Sequence, residues 1–330
     1  MGRSLDEDII AWLMDAENPS VRFLTMTELL GKADTYGEVV EAREAIMSTG
    51  PVPRILEKQE PEGHWGGIDR FYQEKYKGTV WNLILLAELR ADPEDERVRK
   101  ACEYILQASQ HRDSGAFSCR GDLEKGGTSN GIMPCLTANM VYSLSRLGYM
   151  NDERVEKGIS WISRYQRFEA HAPPGKEWPY RYDRCWRPRD CRSGAVKAVK
   201  ALTLAPSEER SNEIASALRK GCEFVLERCL WGDGDGLEST AREDWFQLGY
   251  PHMWGTDLLE IINVLLQANI RDDRMDEAVR FIASKRNEKG RWLQEGRFGN
   301  RLITRLEKKG SESRFVTIEA TKAMMKYDRD

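Results

Sequence analysis

The chain repeats itself about every 60 residues, and this period limits what it can fold into more than any other feature. DERVRKACEYILQ from Asp95 returns as DERVEKGISWISRYQ from Asp152 and as DDRMDEAVRFIASK from Asp272, while KGCEFVLE from Lys220 matches KACEYILQ from Lys100. Each copy places apolar residues at helical spacing with charges between them, the pattern of a helix with one solvated face. More apolar segments alternate with these. GTVWNLILLAEL, LTANMVYSLSRLGY, RSGAVKAVKAL, WGTDLLEIINVLLQ and FVTIEATKAMMK start around Thr79, Thr137, Ser193, Thr256 and Thr317. One period earlier, NPSVRFLTMTELLG offers Asn18 as N-cap and Pro19 as first helical residue. Six inner helices with few charges, paired with charged outer ones, predict an all-α chain. The expected architecture is an (α/α)6 toroid of six helix hairpins forming one domain over residues 1–330, with an open solenoid as the competing arrangement.

Turns with Gly and an aromatic follow several outer helices: QEPEGHW ending at Trp65, QHRDSGAF at Phe117 and KRNEKGRW at Trp292. Gly permits the tight reversal, and packing between neighbouring hairpins is enough to explain the ring.

Composition narrows the function. Among 330 residues, Lys plus Arg is 50 and Asp plus Glu is 54, for a net charge of −4, with no dense basic block, so nucleic-acid binding is not expected. No apolar run reaches the 18 residues of a membrane span, and the start, MGRSLDEDII, lacks a signal-peptide stretch. The expected location is the cytoplasm, where the seven cysteines are read as thiols rather than disulfides. Phosphate-loop, nucleophile-elbow and zincin motifs are absent.

The Gln-x3-Gly-x-Trp pattern at Gln59 to Trp65, set in the 60-residue period, resembles the QW repeats of squalene cyclases. Together with NPSVRFLTMTELLG, PCLTANMVYSLSRLGY, CRSGAVKAVKAL and GTDLLE, it makes nearly the whole chain similar to the terpenoid cyclase and protein prenyltransferase α/α toroids. More specifically, these segments and GTVWNLILLAEL look like a prokaryotic branch usually labelled prenyltransferase-like or squalene-cyclase-like by homology. The resemblance implies an isoprenoid, diphosphate or similar amphipathic ligand in a central cavity. Two departures matter. The Asp-x-Asp-Asp acid of squalene–hopene cyclases is missing, since DGDG at Asp233 and DPED at Asp92 both break it. A chain of this length also makes one toroid where triterpene cyclases have two. Asp183-Arg184-Cys185 matches the Asp-x-Cys of the prenyltransferase zinc set, with His252 downstream in PHMWGTDLLE.

Candidate site residues gather where the inner helices begin, because helix N-termini carry unsatisfied N–H groups and partial positive charge. Lys75, Lys77, Arg187, Arg189, Arg192 and Arg314 stand near those starts and suit a phosphate, diphosphate or carboxylate; each alone also reads as a solvated loop charge. Cys135, Cys185, Cys191 and His252 have the chemistry of a zinc site, with Cys119 or water as the alternative fourth ligand. Buried, unrelated thiols are the plainer account. Asn82, Asn139, Lys197, Asp257, Glu260 and Glu319 interrupt apolar helices. Asp257 reads either as a helix cap or as a general acid facing the cavity. Trp81, Tyr142, Trp254 and Phe315 are candidate cavity walls for an apolar or cationic ligand.

Two readings of different class stand at this point. One is a prenyltransferase-like or terpene-cyclase-like protein, an enzyme only if another acid replaces the missing motif. The other is a non-catalytic ligand- or protein-binding toroid with a structural zinc. A carbohydrate-processing toroid is a third, weakened by the presence of only four histidines. Whether a partner subunit is needed stays open.

Overall fold

The computed structural model describes residues 6–168, 191–205, 211–230, 245–296 and 301–328. These are mostly helical. The inner helices are α2 (Pro19–Leu24), α5 (Thr79–Glu88), α7 (Pro134–Leu144), α9 (Arg192–Leu202), α11 (Leu258–Gln267) and α13 (Arg314–Tyr327). The outer ones are α3 (Gly37–Ser48), α6 (Glu96–Ala108), α8 (Glu153–Tyr165), α10 (Asn212–Arg228) and α12 (Asp276–Ser284). Two short helices, α1 (Glu7–Met14) and α4 (Pro51–Leu56), complete the described set. The only paired strands among these residues are two-residue antiparallel ones, Gly121–Asp122 with Gly126–Gly127 and Trp292–Leu293 with Glu312–Ser313.

The inner helices touch in chain order. α5 packs on α7, α7 on α9, α9 on α11 and α11 on α13. α13 then returns to α2, and α2 is tied to the end of α5 by the Ser20 hydroxyl on the Leu89 carbonyl at 2.7 Å. α1 packs on α2, and its Trp12 is held by the guanidiniums of Arg291 and Arg314, 4.1 and 4.8 Å from the ring centroid. The Trp12 carbonyl also accepts from Arg314.

The repeated turns show why the period is strict. The backbone N–H groups of Trp65, Phe117 and Trp292 donate to Thr79, Thr137 and Thr317 Oγ1 at 3.1, 2.9 and 3.1 Å. Each Thr is therefore an anchor that fixes the start of its inner helix to the preceding turn. Gln59 and Gln110 amides bridge from their own turns to the carbonyls of Arg97 and Arg154 on the next outer helix, at 2.8 and 2.7 Å. The three rings are buried, so in this respect the QW-like pattern is a packing device. Glycine is required here: at Gly63 (φ 94°) a Cβ would lie 2.6 Å from the Lys100 carbonyl oxygen, and at Gly115 (φ 77°) 2.4 Å from Lys157 Cβ.

The outer helices share a second device. Asp95 and Asp152 cap α6 and α8, and Asp272 caps the short 3-10 turn that leads into α12, by accepting from the backbone N–H groups of Arg97, Arg154 and Arg274 at 2.9, 2.8 and 3.0 Å. Such a cap contributes about 1 kcal/mol. Arg154 and Arg274 also reach back to Glu103 and Glu223 on the preceding outer helix. No described helix is long and apolar enough to cross a membrane.

Candidate functional site

Two cavities lie at opposite ends of the inner helices, and the way each helix begins and ends determines what lines them. The first, of about 340 Å³, opens among the helix starts. Its wall includes Tyr76, Trp245, Pro251, Trp254 and Arg301, with His252 and Asp257 on the inner side. Trp254 is 47% exposed, and its indole N–H donates to the Tyr76 hydroxyl at 2.7 Å. Tyr76 meets Trp81 edge-on with centroids 5.1 Å apart. The Lys75 ammonium lies 5.3 to 5.8 Å from the rings of Trp254, Tyr72 and Trp81, so a cation already sits among these π faces.

The segment ahead of α11 is tightly held. The Gln294 side-chain amide bonds both backbone groups of Tyr250, at 3.0 and 2.9 Å, and Asn139 Nδ2 donates to the Met253 carbonyl at 3.0 Å. Asp257 is the N-cap of α11: Oδ1 accepts from the Glu260 N–H and Oδ2 from the Gly249 N–H, both at 2.9 Å. His252 Nε2 approaches the same Oδ2 at 2.9 Å, in ion-pair contact but out of line for a hydrogen bond. Burial opposes charge on His252, yet Asp257 and Glu260 outweigh it and raise the imidazole above its ordinary pKa.

The second cavity, of about 250 Å³, lies at the other end. Glu28, Glu88, Glu260 and Glu319 line it, facing Arg90, Arg146, Lys200, Lys322 and Lys326. Lys197, almost wholly buried, binds both Glu260 oxygens at 2.7 and 2.6 Å. Burial pushes the Glu260 carboxyl up, but Lys197, His252 and Lys200 hold it well below the usual carboxylate range. Among the described residues, His252 is the one that lines both cavities.

The structure brings Trp81, Trp254, Asn139, His252 and Asp257 together around the first cavity, directly or through one neighbour. Asp257 caps α11, one of the two readings given for it, and lines the first cavity. Tyr142 lines the second cavity instead, with the Lys200 ammonium 4.3 Å from its ring centroid. Phe315 stacks on Tyr250 with centroids 4.2 Å apart. Lys77 is exposed, and Lys75 occupies the aromatic cluster. Arg192 opens α9, whereas Arg314 is drawn away to Trp12 at the seam of the helices. Of the thiols, Cys185 lies outside the described residues, as do Arg187 and Arg189. Cys135 and Cys191 both border Gly194, whose Cβ position is 3.9 Å from Cys135 Cβ and 2.9 Å from Cys191 Sγ. Cys119 is buried, and burial pushes its thiol up. His252 is committed to Asp257 rather than turned to these thiols. Among the described residues no three His, Cys, Asp or Glu side chains are arranged to hold a metal.

Glu28, Glu88, Arg90, Arg146, Lys200 and Lys322 were not singled out in the sequence. A signal for them exists: Lys197–Glu260 are 63 residues apart, Lys200–Glu260 60 and Arg90–Glu28 62. Opposite charges one repeat apart on inner helices are neighbours across the hairpins.

No protein-family model matches the chain, and no curated protein matches it. The solved structures that match include an arginine-to-alanine variant of the type II terpene cyclase MstE from Scytonema in complex with geranylgeranyl dihydroxybenzoate. It is 14% identical, with a TM-score of 0.48, over 97% of this chain and 95% of that one.

Proposed function

We propose that the chain is a single (α/α)6 toroid over residues 1–330 that takes an isoprenoid-like amphipathic ligand in the cavity at its helix starts. The observation that carries this is the exposed Trp254, held by Tyr76 in a cavity whose inner wall is the His252–Asp257 pair. Tyr76, Trp245 and Trp254 supply apolar and π surface for a prenyl chain, and Lys75 and Arg301 stand where an anionic head group leaves it.

If the protein is an enzyme of the prenyltransferase-like or terpene-cyclase-like kind, His252 is the proton carrier and Asp257 its positioning residue. The adjacent carboxylate favours the protonated imidazole and raises its pKa above the ordinary value, which suits His252 to hold and release a proton. The pair can protonate a departing or basic oxygen on the ligand and afterwards accept a proton from carbon or water. It is too weak an acid for an isolated alkene, in keeping with the missing Asp-x-Asp-Asp motif.

The test is a titration of farnesyl and geranylgeranyl diphosphate, each against its free alcohol, followed by Trp fluorescence. Saturable binding that Trp254→Ala weakens about tenfold supports the reading. Absence of binding to all four ligands overturns it. Turnover that is lost in His252→Gln, with binding retained, makes the protein an enzyme.

A second reading, a non-catalytic binding toroid with a structural zinc, draws on Cys135 and Cys191 meeting at Gly194. Zinc there would hold the loops ahead of α7 and α9, with Cys185 as third ligand and Cys119 or water as fourth. About one zinc per chain by elemental analysis, lost in Cys135→Ser and Cys191→Ser, supports that site; reduced protein free of metal removes it.

A further inference from the structure

We propose that the charged cavity at the helix ends is a second binding site, which takes a small oxyanion, a carboxylate or phosphate, between the Arg146 guanidinium and the Tyr250 hydroxyl. The acids that line this cavity are already occupied. Lys322 binds Glu28 at 2.8 Å and Glu319 at 2.7 Å, and Arg90 also holds Glu28. Lys200 binds Glu88 at 2.8 Å, and Glu260 is shared by Lys197 at 2.6 Å and Lys200 at 3.3 Å. Arg146 is different. Its Nε makes a 3.5 Å contact with the Tyr142 hydroxyl, and no carboxylate lies within ion-pair reach of its guanidinium among the described residues. The side chain is nonetheless open to solvent from the cavity.

Tyr250 points to the same ligand independently. It is 6% exposed, it lines the cavity, and its hydroxyl has no hydrogen-bond partner. Burial, with the nearby charges of Glu88 and Glu319, keeps the phenol protonated, so the hydroxyl acts as a donor. Arg90 Nε, another donor on this wall, is likewise buried without a partner. A buried polar group left unpaired costs about 1–3 kcal/mol, so these donors favour an acceptor between them. A cationic ligand would meet the Arg146 guanidinium, on which Glu28 and Glu88 act only from beyond ion-pair distance, and a neutral one would bring it no counter-charge. The cavity of about 250 Å³ has room for a small ion, and its charged lining disfavours a prenyl chain.

Calorimetric titration of the intact protein with inorganic phosphate, sulfate and succinate at low ionic strength, with chloride as reference, tests this. We expect saturable binding of at least one of the three, and the preferred one identifies the ligand as phosphate-like or dicarboxylate. Arg146→Gln should weaken binding at least about tenfold and Tyr250→Phe about threefold to tenfold. Trp254→Ala, in the other cavity, should leave it unchanged. Tyr250→Phe keeps the ring stacked on Phe315, so it reads the hydroxyl even if Arg146→Gln proves poorly folded by circular dichroism. No saturable binding of any of the three ions, or wild-type affinity in Tyr250→Phe, overturns the proposal.

Discussion

The same six inner helices present an aromatic, loop-built wall at their starts and an ionic, helix-built wall at their ends. At the starts, Thr79, Thr137 and Thr317 spend their hydroxyls on fixing the turns, so chemistry there falls to the connecting segments that carry Tyr76, His252 and Trp254. In the charged cavity, Glu88 and Lys200 near their helix ends and Glu260 in the first turn of α11 belong to the helices themselves and neutralise one another across hairpins. One end can therefore vary with its loops, while the other is bound up with how neighbouring helices dock. His252 and Asp257 sit on the boundary between them.

That contrast can be broken first at Lys197. Lys197→Met leaves the buried Glu260 carboxylate with only its longer Lys200 contact, and a loss of about 3 kcal/mol in unfolding free energy is expected from chemical denaturation. Adding Glu260→Met should recover much of it, since an apolar pair of similar volume does not need the charges. A double variant as unstable as the single one would show that the ionic end is not held by this pair. At the aromatic end, Trp254→Ala should lower affinity for an amphipathic ligand by roughly 1–2 kcal/mol while moving global stability by less than about 0.5 kcal/mol, because the indole is half exposed.

The boundary gives the smallest effect. The folded His252 pKa lies above its ordinary value of 6.5, so the stabilisation from its charge is full below about pH 6.5. It fades as pH rises through the folded value. His252→Gln should flatten the fall in melting temperature that accompanies that rise; an unchanged pH profile would mean that the imidazole does not hold its proton against Asp257.

Much of the helical framework is legible in the sequence because the helices repeat. The Thr anchors and the Asp-x-Arg caps of the outer helices recur at fixed offsets, and each offset is enforced by a hydrogen bond seen in several copies. The helix starts were placed less well: α7 begins at Pro134 and α11 at Leu258, since the anchor Thr sits inside α7 and Asp257 caps α11 one residue beyond Thr256. The aromatic cavity was half legible. Trp254, His252 and Asp257 stand in loops and at a cap, where bulky or ionisable residues are conspicuous. Of Lys75 and Lys77, both named in the sequence, it is Lys75 that meets the rings, because which side chain of a loop turns inward depends on the ring it meets. The charged cavity was legible only in part: Lys197, Glu260 and Glu319 stand out in apolar helices, but Glu28 and Lys322 are 294 residues apart and become partners only when the last inner helix returns to the first.

That return also governs how the molecule comes apart. A row of hairpins open at both ends can fray from either terminus, one unit at a time, each step exposing a single interface. In the proposed toroid, Trp12, Arg291, Arg314, Glu28 and Lys322 close the row on itself, so no hairpin is terminal and the first to leave must give up a neighbour on each side. Loss of one unit is thereby tied to loss of the rest, and melting becomes a collective event in which both cavities disappear together.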